Sequence, residues 1–180
     1  FQIINGNITS PKGFQACGIH IGLKRQKKDL ALIVSDVIAE AAAVFTANKA
    51  CAAPVQISKE NMKKGKAQAI LVNSGNANAC TGKEGYENAK KMVDTVAEEL
   101  KVSSDNILLA STGVIGVPLP MNTIIKGISK ATKSLSYAGG NDAAEAILTT
   151  DTSVKQIAVN VEIDGKKVTI AGIAKGSGMI

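Results

Sequence analysis

Hydrophobic residues in this chain keep two different periods, and the switch between them limits the folds open to it. Ala89, Met92, Val93, Val96, Ala97 and Leu100 fall on one stripe, with Lys90, Lys91, Asp94, Glu98 and Glu99 opposite. That is the 3.6-residue spacing of an amphipathic helix, predicted over 84–100. Near the far end, Ile157, Val159, Val161 and Ile163 alternate with Ala158, Asn160 and Glu162, Asp164-Gly165 interrupts, and an apolar stretch resumes over 168–173. A two-residue period broken by a Gly-containing turn predicts a β-hairpin. No linker, repeat or low-complexity stretch separates the two patterns, so the chain is expected to be one α+β unit with mixed β-sheets layered with helices.

The intervening segments supply further elements. Leu30, Ala31, Leu32, Ile33 and Val34 form a short apolar run, and 41–46 repeats that character beyond Asp36. Both read as strands, as do 55–58 after Pro54 and 67–72. The last delivers the chain into Asn73-Ser74-Gly75-Asn76-Ala77-Asn78-Ala79-Cys80, a loop by composition. A strand over 107–110 precedes a second loop, Ser111-Thr112-Gly113-Val114-Ile115-Gly116. Met121, Ile124, Ile125, Ile128 and Leu135 then mark a helix after Pro120, and a short third helix is expected over 141–148.

Composition narrows the function. A chain of 180 residues, 45% hydrophobic, can bury a real core. Aromatics make up only 3% and Trp is absent, which argues against an aromatic platform for nucleic acid. The net charge of +6 is compatible with a small carboxylate substrate, while the densest basic run, Lys24, Arg25, Lys27 and Lys28, reads as a solvated loop. Cys17, Cys51 and Cys80 are odd in number and widely spaced, and His20 is the only histidine. They predict neither a metal site nor a disulfide framework, but small buried hydrophobes in a reducing compartment. No uninterrupted apolar segment is long enough for a bilayer and no signal-peptide pattern opens the chain, so a cytoplasmic protein is expected.

Familiar chemistry is missing from the motifs. There is no G-x-x-x-x-G-K-[ST], no G-x-G-x-x-G after a strand, and no histidine placed to complete a Ser or Cys triad. What remains lies at the ends of elements. Thr112 and Gly113 occupy a strand exit where loop amides can face an anion, as in an oxyanion hole, although an ordinary Gly-rich connection fits as well. Thr149-Thr150-Asp151-Thr152 could bind polar ligand atoms or merely stop the third helix. Lys175 precedes Gly176-Ser177-Gly178 and could pair with a substrate carboxylate or remain solvated.

Taken together, residues 73–80, 111–116, Thr149-Thr150-Asp151-Thr152 and Ala174-Lys175-Gly176-Ser177-Gly178-Met179-Ile180 resemble the bacterial ornithine acetyltransferases, the ArgJ family. Pro11-Lys12-Gly13-Phe14 and Val44-Phe45-Thr46-Ala47-Asn48 extend the resemblance over nearly the whole chain. It implies a DmpA/ArgJ-like N-terminal-nucleophile architecture, made as a precursor that cuts itself before a threonine. This chain is similar to the α fragment, stopping shortly before the expected cleavage point, so the nucleophile would head a separate β chain in an α2β2 heterotetramer. The resemblance assigns the oxyanion hole to Thr112 and Gly113 and substrate contacts to Thr149 and Lys175. The implied reaction moves acetyl from N2-acetylornithine to glutamate through an acetyl-threonine, without organic cofactor, metal, nucleic acid or membrane; some members also accept acetyl-CoA. A related self-processing aminopeptidase, or a noncatalytic small-molecule or nucleic-acid binding domain, stays open as an alternative.

Overall fold

The computed structural model describes residues 1–177. The last three residues of the 174–180 motif, Gly178, Met179 and Ile180, lie outside them. Elements follow in the order β1 (Gln2–Ile4), β2 (Phe14–Ile19), β3 (Leu30–Glu40), α1 (Ala53–Asn61), β4 (Lys66–Asn76), α2 (Gly82–Leu100), β5 (Ile107–Val114), α3 (Met121–Lys133), α4 (Gly140–Ala146), β6 (Lys155–Ile163) and β7 (Lys166–Ala174). Two sheets result: a four-stranded one ordered β2-β3-β4-β5 and a three-stranded one ordered β1-β6-β7.

Alternation along β3 decides how the first sheet is sandwiched. Leu30, Leu32 and Val34 point to one side, where they join Leu71, Met92, Val96, Ile107, Ile124 and Ile128 in the main core beneath α1, α2 and α3. Ala31 and Ile33 point to the other side and meet Ala143, Ala146 and Ile147 around α4. Small residues let α4 sit almost on the backbone: a Cβ on Gly18 of β2 would come within 1.8 Å of the Asp142 carbonyl oxygen. β4 and β5 run parallel, joined through α2, while the other neighbours in both sheets are antiparallel.

The two periodic signals correspond to real elements. α2 carries Ala89, Met92, Val93, Val96 and Ala97 on its buried stripe. β6 and β7 are paired from Lys155↔Ala174 to Ile163↔Lys166, and the hairpin turns at Asp164 (φ 50°) and Gly165 (φ 72°). Two consecutive left-handed residues are what a two-residue turn between twisted strands requires.

Four expectations are corrected. Residues 41–46 form no strand, because pairing of β3 ends at Glu40↔Lys66, where β4 itself begins, so no neighbouring strand is left for them. Residues 55–58 lie in α1, with Pro54 in its first turn and Ala53, Ile57 and Ser58 buried, a short apolar run that does not distinguish strand from helix by itself. The beginnings of both presumed loops, Asn73 to Asn76 and Ser111 to Val114, are strand, paired in register with one another. Of the cysteines, Cys17 is buried, but Cys51 is half-buried and Cys80 exposed.

Candidate active site

The site forms where the parallel pair β4 and β5 runs out. Asn73 is fully buried there; its amide donates to the Asn76 carbonyl at 2.8 Å, and its side-chain oxygen accepts the Ser111 hydroxyl at 2.5 Å. The buried Ser74 hydroxyl donates to the carbonyl of Ala146 at the end of α4. One register step further, Gly75 lies opposite Gly113. Gly113 has φ 136°, and a Cβ there would fall 2.3 Å from the Gly75 carbonyl carbon and 2.6 Å from the Asn76 nitrogen. Close approach of two backbones therefore requires glycine at this position in its own right.

From the other direction, α4 delivers Thr149 and Thr150, and β7 delivers Lys175. The Lys175 ammonium donates to the Thr112 hydroxyl at 2.6 Å and to that of Thr149 at 3.3 Å, joining groups 63 and 26 residues away in the chain. Thr150 and Ser177 share a hydrogen bond of 2.7 Å beside them. Thr112, Gly113 and Thr149 line an open cleft of about 510 Å³ together with Lys24, Gly75, Val114 and Thr150. All four residues singled out from the sequence thus converge on one place.

Lys24 was missed. The basic run reads as solvated, yet the Lys24 ammonium donates to the carbonyls of Leu148 (2.6 Å), Lys28 (2.8 Å) and, more weakly, Ala146 (3.5 Å). A cation at the carbonyl end of α4 is favourable and fixes the segment leading to Thr149. Its pKa is lowered, chiefly by burial and further by Lys27 and Lys175, against the pull of Asp29. Lys28 also pairs with α4, at its surface, through Asp142 at 2.5 Å and Glu145 at 2.8 Å, which raises its pKa.

What places Lys24 is Asp29. This fully buried carboxylate accepts the amides of Ile21 (2.7 Å), Gly22 (3.2 Å), Leu23 (2.7 Å) and Lys24 (2.9 Å), winding residues 21–24 around itself. An isolated Asp just ahead of an apolar strand, after a Gly-containing loop, was the available signal for such a nest of amides.

A last group closes the site. The Asp151 carboxylate, with a side chain only 1% exposed, accepts the Lys155 ammonium at 2.5 Å and the Gly176 amide at 2.7 Å. The ammonium, the Gly176 amide and the nearby Thr149 amide hold its pKa well below the usual carboxylate range, although burial opposes them. Among the described residues no three His, Cys, Asp or Glu side chains converge as a metal site would need, and no helix is long and apolar enough to cross a membrane.

The sequence model of the ArgJ family matches residues 15–180. The chain belongs to the ArgJ family. The arginine biosynthesis bifunctional protein ArgJ of Caldanaerobacter subterraneus subsp. tengcongensis is 56% identical over 179 residues, covering 99% of this chain and 44% of the relative. Its Listeria monocytogenes counterpart is 52% identical over 180 residues, covering 99% and 45%. The chain thus spans less than half the length of these ArgJ relatives. Among solved structures, the ArgJ bifunctional protein of Bacillus halodurans superimposes with a TM-score of 0.92 at 46% identity, covering 99% of this chain and 94% of that one. The ornithine acetyltransferase of Mycobacterium tuberculosis, solved in complex with ornithine, gives 0.93 at 34%, covering 99% and 96%.

Proposed function

We propose that this chain is the α part of an ornithine acetyltransferase cut from a longer precursor, and that it works only with the β part, which begins with the nucleophilic threonine. Acetyl passes from N2-acetylornithine to glutamate in two steps at one site. First, the threonine hydroxyl attacks the acetyl carbonyl, the amide C–N bond breaks, and ornithine leaves with the hydroxyl proton, the threonine's own amine carrying it. Then the glutamate amine attacks the ester, the C–O bond breaks and the hydroxyl is restored. Both tetrahedral intermediates carry an oxyanion, which the Thr112 hydroxyl and the Gly113 amide face. Thr149 and Lys175 hold the amino acid.

The observation that carries this reading is the Lys175 ammonium lying 2.6 Å from Thr112 and 3.3 Å from Thr149. Because Thr112 accepts from Lys175, its own O–H stays available to donate to a developing oxyanion. The ammonium has three donors, so one beyond those two remains for a substrate carboxylate. The ornithine in the complex of the Mycobacterium tuberculosis relative supports an amino acid as the occupant.

Two observations support a cleaved precursor with a second chain. Curated relatives are more than twice the length of this chain, whereas the related solved chains are covered to 94% and 96%. One face of the β1-β6-β7 sheet is also apolar and exposed, with Ile157, Ile163 and Ile170 each more than half accessible, a surface suited to a β part. The assembly is an α2β2 heterotetramer in the cytoplasm, serving arginine biosynthesis, and the bifunctional names of its relatives favour acetyl-CoA as a second donor.

The test uses the full-length protein. After incubation with N2-acetylornithine and acid quenching, mass spectrometry is expected to find a second chain starting with Thr and carrying one acetyl group, which glutamate then removes. A single uncut polypeptide, or a cut one that takes up no acetyl, would overturn the proposal.

A further inference from the structure

Lys175 stands on a segment with little regular structure to hold it. It follows the last residue of β7, is exposed, and leads into Gly176, whose φ of 149° lies in the left-handed half of conformational space. Even so, its ammonium sits within hydrogen-bond reach of hydroxyls on two other segments. Something must hold the backbone beside it.

Both backbone groups of Gly176 are taken by one ion pair, the buried Asp151 and the half-exposed Lys155. Asp151 accepts the Gly176 amide at 2.7 Å, and Lys155, itself bound to Asp151 at 2.5 Å, donates to the Gly176 carbonyl at 2.9 Å. Asp151 lies two residues beyond Thr149, and Lys155 opens β6 opposite Ala174, the residue before Lys175. The pair thus connects the end that carries Thr149 to the end that carries Lys175. The second Asp151 oxygen is buried and has no hydrogen-bond partner among the described residues, so the ties of this carboxylate run through the oxygen that binds Lys155 and Gly176. A capping role for residues 149–152 does not call for a bond to a glycine 25 residues away.

We propose that Asp151 and Lys155 are positioning residues that set the place of the Lys175 ammonium between Thr112 and Thr149. They act through Gly176 and touch no substrate. The inference rests on the acetyl-transfer reading of the site. Lengthening or loosening this clamp moves the ammonium without removing it, and a misplacement of about 1 Å in a positioning group can cost on the order of 100-fold in rate.

The experiment is a double-mutant cycle on the processed full-length enzyme. Lys155→Met, at a half-exposed side chain, frees the Gly176 carbonyl with small risk to folding; Asp151→Asn keeps the shape but removes the charge. Each is expected to raise KM for both acetylornithine and glutamate by about 10-fold or more while the melting temperature of Lys155→Met stays near that of the parent. In a Lys175→Ala background, neither should cause a further rise, because the group they position is gone. Lys155→Arg should recover part of the loss by restoring a donor.

Additive effects in the Lys175→Ala background would overturn the proposal and leave the acetyl-transfer reading intact. If instead Lys175→Ala alone changes neither KM, it is the site reading that fails. Independently of turnover, a crystal structure of Lys155→Met that keeps the Lys175 ammonium on both Thr112 and Thr149 would overturn the positioning role, and its displacement would support it. Should Asp151→Asn not fold, the Lys155 series and this structure decide the matter.

Discussion

The two sheets of this chain use the same alternation and reach different ends. In β2-β3-β4-β5, Leu30, Leu32, Leu71 and Ile107 are wholly buried beneath α1, α2 and α3. In β1-β6-β7, directly opposed residues such as Val159 and Ile170, or Val161 and Val168, share a face with Ile3, Ile157 and Ile163. The middle of that face is apolar, yet Ile3 is 65% exposed and Ile170 52%. Only the opposite face is packed, through Ala158 and Ile173 near α4. Periodicity therefore tells which side of a strand wants burial, but the covering element need not belong to the same chain. The candidate site lies at the seam of the two sheets, with Thr112 supplied by the first and Lys175 by the second.

The largest effect expected belongs to the seam itself. Gly113→Val would drive a side chain into the Gly75 and Asn76 backbone and impose an unfavourable φ, so the full-length protein should fail to accumulate in folded form. Soluble, processed protein with a near-normal melting temperature would break the description of that close approach. The same result would show that Gly113 substitutions can report on the oxyanion role alone.

Next comes a direct comparison between the sheets. Leu32→Ala, in the covered sheet, should cost about 2–5 kcal/mol in denaturant unfolding of the full-length protein. If the second sheet is covered by a β part, Ile170→Ala should cost about 1–3 kcal/mol there despite its exposure in this chain. A cost below about 0.5 kcal/mol would place Ile170 on a free surface and remove the interface from the account.

The smallest effect concerns how tightly the first sheet is sealed. Cys17 lies in β2, its thiol donating to the Ala131 carbonyl of α3 at 3.2 Å, and burial pushes its pKa up to about 11. A folded-state pKa raised above the ordinary value means that the native protein binds more protons than the unfolded chain between about pH 9 and pH 11. Stability from this group is thus complete below pH 9 and declines across that window, by on the order of 1 kcal/mol at about pH 10. Cys17→Ala should unfold with a shallower alkaline slope than the parent; identical slopes would mean that water reaches the thiol.

Much of this was legible from particular residues. The stripe of α2 and the alternation around Asp164-Gly165 announce their elements because each repeats long enough to exclude the other period. Short runs do not, which is why Val55, Gln56, Ile57 and Ser58 read as strand and fold as helix. Ser111 to Val114 look like a loop because glycine and small polar residues are turn formers, whereas here they allow two parallel strands to approach. Thr112, Gly113, Thr149 and Lys175 could be picked out as strand and helix ends, but their meeting depends on a topology that no local pattern carries. Lys24 was hidden because a lysine among lysines looks solvated, and only the Asp29 nest and the α4 carbonyls reveal where it points.

The most direct test of the central claim, that the cleft lined by Thr112, Gly113 and Thr149, with the Lys175 ammonium beside it, holds the amino acid in both half-reactions, is steady-state kinetics of Lys175→Ala on the processed full-length protein, with thermal melting beside it. Lys175 is exposed and its bonds are confined to the site, so the melting temperature should hardly move. KM for acetylornithine and for glutamate should rise together, since both occupy one place in turn, and Lys175→Arg should recover only part of the loss because a planar fork does not reproduce a compact ammonium. Parental constants for both substrates, or a rise for only one, would contradict the account.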